Sequence, residues 1–151
     1  MAETFARAET LGKTVHLPTD HVVAESFSND VPTRIVEDHI PDGYIGLDIG
    51  PKTIAHFLSV IGNAKTVFWN GPMGVFEMNH FQQGTFSIAE GLAASSAVTV
   101  VGGGDSVAAV NRINKAGKMT HISTGGGASL ELLEGKKLPG IEALTEKKHG
   151  T

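Results

Sequence analysis

Residues 97–110 read AVTVVGGGDSVAAV, and residues 120–133 read THISTGGGASLELL. Each stretch is an apolar run typical of a buried strand, followed by three glycines and then by an apolar pattern typical of a helix. A strand that turns through glycine into the start of a helix exposes backbone N–H groups where the helix dipole favours an anion. Two such units in succession predict a phosphate-handling edge of a sheet, so phosphorylated ligands are the leading hypothesis.

The rest of the chain continues this alternation of strands and helices. Periodicity and turn residues predict short strands at 15–17 and 22–24, a helix around 54–61, a strand at 66–69 and a helix at 79–94. Residues 28–50 are rich in proline, glycine, aspartate and asparagine, and we interpret them as a long connection.

Strands and helices that alternate in this way, with continuous apolar strands, are typical of a parallel sheet covered by helices. The predicted fold class is therefore α/β: a doubly wound, Rossmann-like, three-layer α/β/α arrangement with a mainly parallel sheet. Ligands of such sheets bind beyond the carboxyl ends of the strands. We expect the loops at 70–72, 102–104 and 125–127 to line one crevice at that edge.

Two common nucleotide motifs are missing from the glycine triplets. Neither triplet continues into Gly-Lys-Ser/Thr, which excludes a P-loop as written. The sixth position of a dinucleotide fingerprint would be Val107 or Leu130 instead of glycine, which disfavours a dehydrogenase-like function. The seven histidines are scattered, without the spacing of a paired metal site.

Asp105 follows the first triplet directly and has two interpretations. Aspartate is a favoured N-cap, worth about 1 kcal/mol to a helix. However, a carboxylate beside amides that bind phosphate would repel that phosphate unless a divalent cation lay between them, and Mg²⁺ is commonly held by one or two carboxylates together with substrate phosphates. From the chemistry alone, both interpretations of Asp105 stay open.

Two other residues also have alternative interpretations. Glu77 could accept hydrogen bonds from ribose hydroxyls, or it could be a solvated acid near the start of a helix. Ser106 could donate to a phosphate, or it could only stabilise the first helical turn.

Bulk properties limit the class of protein. The chain has 151 residues, a net charge of −4 and no cysteine, which predicts a globular domain without disulfides. The mild negative charge argues against non-specific binding of nucleic acid or anionic membranes. No signal peptide or membrane-spanning stretch is apparent, so we expect a soluble, cytoplasmic protein with neither nucleic acid nor membrane as a partner.

Several blocks of the sequence together strongly resemble phosphoglycerate kinase. The blocks occur in that family's order and cover nearly the whole chain: 46–51 (GLDIGP), 69–77 (WNGPMGVFE), 102–106 (GGGDS) and 123–131 (STGGGASLE), with a looser match at 17–24 (LPTDHVVA). Several long blocks are far more specific than any single glycine loop. The resemblance implies phosphoryl transfer between 1,3-bisphosphoglycerate and ADP in glycolysis, with Mg²⁺ as the cofactor and ATP/ADP as the nucleotide.

The resemblance assigns a role to each matching residue. It places Gly46 and Leu47 beside the adenine and Glu77 at the ribose. It favours the Mg²⁺-binding interpretation of Asp105 over the N-cap interpretation, and it places Gly126 and Gly127 near the transferring group. The complete set that it implies is catalytic Gly103, Gly104, Gly126 and Gly127, nucleotide-binding Gly46, Leu47, Asn70, Pro72, Glu77, Gly103, Gly104, Asp105 and Ser106, and metal-binding Asp105.

The resemblance also limits what the chain is expected to do alone. It covers the latter part of the family's C-terminal, nucleotide-binding domain, as residues 1–146, with 147–151 as a flexible tail. The N-terminal domain and the stretch carrying a catalytic lysine have no counterpart, and Lys13, Lys52 and Lys65 lie outside the matching motifs. We therefore expect phosphoglycerate to bind only with the missing domain and the chain alone to be inactive. A non-catalytic nucleotide-binding module and a self-associating structural fragment with an exposed sheet edge are the alternatives.

Overall fold

A computed structural model describes residues 2–123 and 125–144. The elements, in chain order, are α1 (Ala2–Thr10), β1 (Asp20–Ala24), β2 (Arg34–Glu37), β3 (Ile45–Ile49), α2 (Pro51–Asn63), β4 (Thr66–Asn70), α3 (Gln83–Ala94), β5 (Val98–Gly102), α4 (Gly104–Arg112), β6 (His121–Ser123), α5 (Gly126–Leu133) and α6 (Pro139–Glu142), with single 3₁₀ turns at Asn79–Phe81 and Ala116–Lys118.

The glycine-triplet units build a three-stranded parallel sheet in the order β4-β5-β6. Trp69 of β4 lies beside Val101 of β5, so both side chains project from the same face of the sheet. Helices α2, α3 and α4 pack on that face, and the main core contains Trp69, Phe76, Ile88, Ala89, Leu92, Val101, Ala109, Val110 and Met119. The predicted α/β, Rossmann-like class with a parallel sheet is confirmed.

A second, antiparallel sheet has the order β2-β1-β3. Its two outer strands lie within 28–50, so the interpretation of that segment as a long connection was wrong. The error has a physical cause, because the strands are only four and five residues long and gain their hydrogen bonds from β1, a non-local partner. A separate small core of Ala24, Leu47 and Phe81 lies beneath this sheet.

Two buried aspartates of the antiparallel sheet cap helices that pack on the parallel sheet. Asp20, at the start of β1, accepts hydrogen bonds from the backbone N–H groups of Lys52 (2.9 Å) and Thr53 (2.8 Å) in the first turn of α2. Asp48, in β3, accepts one from the N–H of Gly84 (2.7 Å) in the first turn of α3. Because Gly50 and Gln82, the residues at the N-cap positions, make no side-chain cap, these carboxylates supply what the local sequence lacks.

Two other predicted elements differ from the structure. The predicted strand at 15–17 was wrong, since these residues are exposed and no strand among the described residues pairs with them. A strand needs a hydrogen-bonded neighbour, which alternation of side chains alone does not provide. The predicted helix at 79–94 divides at Gln82 into a 3₁₀ turn and α3.

The predicted tail at 147–151, and the domain boundary at residue 146, lie outside the described residues. Over the ranges that the structure does describe, no helix is long and apolar enough to cross a membrane.

Candidate anion and nucleotide site

The loop after β5 requires glycine at its centre. Gly103 has φ +85° and ψ 136°, a backbone conformation that L side chains rarely adopt. A Cβ atom at this position would also lie 2.9 Å from Oδ1 of Asn70, at the end of β4. The side chain of Asn70 therefore lies directly against the first glycine triplet, as expected for two loops that share one edge.

The second triplet packs against the first. A Cβ atom on Gly126, at the start of α5, would lie 2.5 Å from the backbone nitrogen of Gly103 and 2.8 Å from its Cα. Gly127, the next residue, has open space at the same position. The two helix starts therefore approach each other closely enough that only glycine fits at Gly126.

The loop after β4 is fixed from two sides by buried hydroxyl groups. Ser106 is fully buried, and its Oγ accepts a hydrogen bond from the N–H of Gly71 at 2.7 Å. Thr85 of α3, also fully buried, accepts from the N–H groups of Met73 (3.0 Å) and Gly74 (3.2 Å). The structure thus gives the Ser106 hydroxyl a structural partner and brings the loops at 70–72, 102–104 and 125–127 together at one edge.

The first turn of α4 offers donors to an anion. The first helical bond in this region runs from the N–H of Val107 to the carbonyl of Gly103, so the N–H groups of Gly104, Asp105 and Ser106 precede the hydrogen-bonded part of the helix. Together with the helix dipole, these groups make a suitable cradle for a phosphate.

The side chain of Asp105, in the first turn of α4, is exposed and carries the only acidic group of that turn. Within residues 2–123 and 125–144, no group of three or more histidine, aspartate or glutamate side chains could hold a metal ion. This donor set fits Mg²⁺ shared with ligand phosphates and water, which needs only one or two carboxylates. It does not fit a metal cage built from protein side chains.

Glu77 lies near the opposite end of α4. The guanidinium of Arg112, the last residue of α4, donates to the carbonyl of Phe76 at 3.0 Å, which holds the Phe76–Glu77 segment at the end of the helix. Arg112 lies seven positions after Asp105, about 10 Å along the helix at a rise of ~1.5 Å per residue. A ligand that reached both Asp105 and Glu77 would therefore extend along α4.

The remaining predicted residues lie on the flank of this helix or in the core beside it. The carbonyl of Leu47 in β3 accepts from the N–H of Val75 at 2.8 Å, which joins β3 to the segment leading to Glu77. The Leu47 side chain is buried in the small core, whereas Gly46 is exposed and Pro72 is half-buried. Leu47 therefore presents its backbone, and not its side chain, to this region.

Comparison with known proteins identifies the family. The family model described as phosphoglycerate kinase matches residues 1–136. The chain belongs to the phosphoglycerate kinase family. It is 59% identical over 140 residues to the phosphoglycerate kinase of Lactiplantibacillus plantarum and 61% identical over 140 residues to that of Latilactobacillus sakei, covering 92% of this chain and 35% of the relative in both cases. The chain thus spans about a third of the length of these phosphoglycerate kinases.

Solved phosphoglycerate kinase structures have the same fold. The enzyme from Coxiella burnetii superposes with a TM-score of 0.89 at 39% identity, over 96% of this chain and 38% of that one. The enzyme from Pyrococcus horikoshii OT3 gives a TM-score of 0.71 at 31% identity, over 95% and 37% of the two chains.

Sequence reasoning missed three residues that position the candidate site. They are Asp48, which caps the first turn of α3, Thr85, which holds the loop after β4, and Arg112, which holds the Phe76–Glu77 segment. Asp48 carried a usable signal, since an acid between Leu47 and Ile49 in an apolar strand is unusual unless it is paired. Thr85 and Arg112 carried none, because their partners are backbone groups distant in sequence.

Asp48 has a strongly perturbed acidity. It is 4% exposed, and burial raises the pKa of its carboxyl to about 6, although the N–H groups of Gly84 and Ile49 lower it in part. The folded state therefore binds a proton between about pH 4 and pH 6 that the unfolded state has released. In that window the free energy of unfolding should fall as the pH rises.

We expect Asp48→Asn to remove this pH dependence. The rise of the Asp48 pKa from 3.8 to about 6 corresponds to about 3 kcal/mol. The difference in the free energy of unfolding between the parent and the variant should therefore fall by up to that amount from pH 4 to pH 8. Denaturant unfolding followed by the fluorescence of Trp69, the only tryptophan, measures this. The exposed Asp42→Asn is the control, and a parent-to-variant difference that stays constant with pH would contradict the assignment.

Proposed function

We propose that this chain supplies most of the Mg-nucleotide site of a phosphoglycerate kinase. The observation that supports this best is the packing of Gly126 against the backbone of Gly103, which brings two helix starts and their N–H groups to one point. Membership of the family supports a nucleoside di- or triphosphate as the ligand class of this anion site.

Each site residue has a proposed role. Gly103, Gly104, Gly126 and Gly127 provide backbone donors around the transferring phosphoryl group, and Asp105 holds Mg²⁺ shared with the nucleotide phosphates. The bound Mg²⁺ would neutralise phosphate charge. Glu77 accepts from the ribose hydroxyls at the far end of α4, and Asn70, Pro72 and the Ser106 backbone line the groove. Gly46 and the backbone of Leu47 border the adenine.

Transfer of a phosphoryl group between ADP and 1,3-bisphosphoglycerate would need more than this chain. Such transfer depends on positioning and charge stabilisation from several parts at once. The chain spans about a third of its relatives, and we propose that phosphoglycerate binds on the part of the family's chain that lies outside it. The purified chain alone should therefore show no steady-state kinase activity, and robust turnover would contradict this.

Calorimetric titration with ADP, in the presence and absence of Mg²⁺, tests the half-site. Metal-dependent binding to the folded chain is the expected result. An absence of binding heat from a chain that circular dichroism shows to be folded would overturn the proposal and leave a structural role for this chain.

Two substitutions should weaken Mg-ADP binding in different ways. Asp105→Asn should raise the Kd for Mg-ADP at least tenfold, which corresponds to about 1.4 kcal/mol of binding free energy. It should not weaken the binding of ADP in the absence of Mg²⁺, because only the contact with the metal is lost. Glu77→Gln should raise the Kd for ADP by the same factor in the presence and in the absence of Mg²⁺, because a contact with the ribose does not depend on the metal.

The exposed Glu90→Gln on α3 carries the same change of charge away from the site and should bind as the parent does. If Asp105→Asn weakened the binding of ADP equally in the presence and absence of Mg²⁺, the proposal that Asp105 binds the metal would be wrong.

A non-catalytic, self-associating structural fragment is the second candidate. It is favoured by one observation, the outer edge of β4, which has no paired strand among the described residues. A mass in solution that rises with protein concentration, without nucleotide binding, would support this candidate instead.

A further inference from the structure

Two histidines that are distant in the sequence meet on the surface. Nδ1 of His16 lies 2.9 Å from Nε2 of His56, although the two residues are 40 positions apart in the chain. The ring planes are tilted by 57° and the ring centroids are 4.9 Å apart, so the rings meet at these nitrogen atoms and do not stack. Both residues are exposed, so water and dissolved ions can reach the pair.

Buried hydrogen bonds determine where this pair forms. The hydroxyl of Thr53, in the first turn of α2, accepts from the N–H groups of Thr19 (3.0 Å) and Asp20 (3.1 Å), and the N–H of Thr53 donates to the Asp20 carboxylate at 2.8 Å. Residues three apart on a helix are neighbours on one face, so His56 lies on the same side of α2 as Thr53. The anchoring of α2 to the start of β1 therefore holds His56 beside the segment that contains His16.

The geometry of the pair suits one transition-metal ion. Imidazole nitrogens bind Zn²⁺ at about 2.0–2.1 Å, so two of them on one ion lie roughly 3.0–3.4 Å apart in octahedral or tetrahedral geometry. The observed separation of 2.9 Å is a small ring rotation away from that range. Each ring can adopt the tautomer that leaves the facing nitrogen unprotonated. Imidazole suits Zn²⁺, Cu²⁺ and Ni²⁺, whereas Mg²⁺ prefers oxygen ligands.

We propose that Nδ1 of His16 and Nε2 of His56 bind a divalent transition-metal ion of the Zn²⁺ class. No group of three or more metal-ligating side chains occurs within residues 2–123 and 125–144, so water completes the coordination. Spacing in the sequence carries no signal for this site, because one ligand comes from an irregular segment and the other from a helix. The ion would link residues 13–18 to α2, a role separate from the Mg²⁺ proposed at Asp105.

Calorimetric titration of the purified chain with Zn²⁺ tests the site. Excess Mg²⁺ in the buffer occupies sites built from oxygen ligands, and we expect one Zn²⁺ to bind per chain. His16→Gln and His56→Gln should each raise the Kd for Zn²⁺ at least tenfold, because each removes one of the two protein ligands. His39→Gln is the matched control, since it removes an exposed imidazole elsewhere on the surface and should bind Zn²⁺ as the parent does.

Two further measurements distinguish coordination from a hydrogen-bonded pair of rings. Nitrogen-15 NMR of the imidazoles should show Zn²⁺ on Nδ1 of His16 and on Nε2 of His56, which leaves opposite tautomers on the two rings. Zn²⁺ should also raise the denaturant midpoint of the parent but not that of His56→Gln, because the ion binds where folding holds the two rings together.

The inference would be overturned if the folded parent bound no Zn²⁺, or if both glutamine variants bound it as tightly as the parent does. Zn²⁺ that shifted the imidazole signals of neither His16 nor His56 would also overturn it and leave the two rings as a hydrogen-bonded pair only. Mg-ADP titration judges the proposed function separately, and both glutamine variants should bind Mg-ADP as the parent does.

Discussion

Replacing Gly126 with alanine should destabilise the protein by about 1–3 kcal/mol, the usual cost of overpacking a filled site. The added methyl group would lie 2.5 Å from the nitrogen of Gly103, and backbone atoms cannot move aside as the end of a flexible side chain can. The two glycine loops would separate, and binding of Mg-ADP should weaken at least tenfold. Denaturant unfolding and calorimetric titration measure the two effects.

Gly127→Ala is the matched control for the effect on stability. It introduces the same methyl group one residue further along α5, where a Cβ atom meets nothing within 4 Å. Alanine in place of helical glycine is neutral or stabilises by up to about 1 kcal/mol. If both variants unfolded with the same free energy, the close approach of the two triplets would not be a determinant of stability.

Replacing Asp20 with alanine should cost about 3 kcal/mol or more of stability at pH 7. Asp20 is 1% exposed and accepts hydrogen bonds from the N–H groups of Lys52 and Thr53 and from the hydroxyl of Thr53 at 2.6 Å. A hydrogen bond to a charged group is worth about 1.5–3 kcal/mol, and the variant would leave these buried donors without an acceptor. Denaturant midpoints at constant slope would report the loss.

The exposed Asp42→Ala should change stability by no more than about 0.5 kcal/mol, as for surface substitutions in general.

The effect at Asp20 should also depend on pH. Burial alone would raise the pKa of Asp20, but the hydrogen bonds from Thr53 and Lys52 outweigh it and lower the pKa below its ordinary value of 3.8. The stabilisation is therefore complete above pH 3.8 and is lost as the pH falls through the folded-state pKa. An Asp20→Ala penalty that grew on acidification would contradict this.

Local signals predicted the half of the fold that is built from local units. The two glycine-triplet units each contain a strand, a turn and a helix start within fourteen residues, so their sequence alone predicted the parallel sheet. The expectation that their loops meet rested on a general property of parallel strands and is met by Gly103 and Gly126. The roles proposed for Asp105 and Glu77 remain predictions.

The rest depended on partners distant in sequence. The strands within 28–50 form only because β1 lies between them, and the strand expected at 15–17 has no neighbour among the described residues. Ser106 illustrates the same limit at a single side chain. Its position after the triplet suggested a hydroxyl that donates to a phosphate or stabilises the first helical turn, whereas the structure adds that its oxygen accepts a hydrogen bond from the N–H of Gly71, 35 residues earlier in the chain.

That bond from Gly71 to Ser106 has a consequence for how tightly a ligand could be held. It ties the loop after β4 to the first turn of α4 before any ligand arrives, so folding has already met the entropic cost of ordering the two loops. Ligands that enter a preorganised groove retain more of their interaction energy as affinity. A chain only a third as long as its relatives thus orders the loop after β4 with its own hydroxyl groups, Ser106 and Thr85.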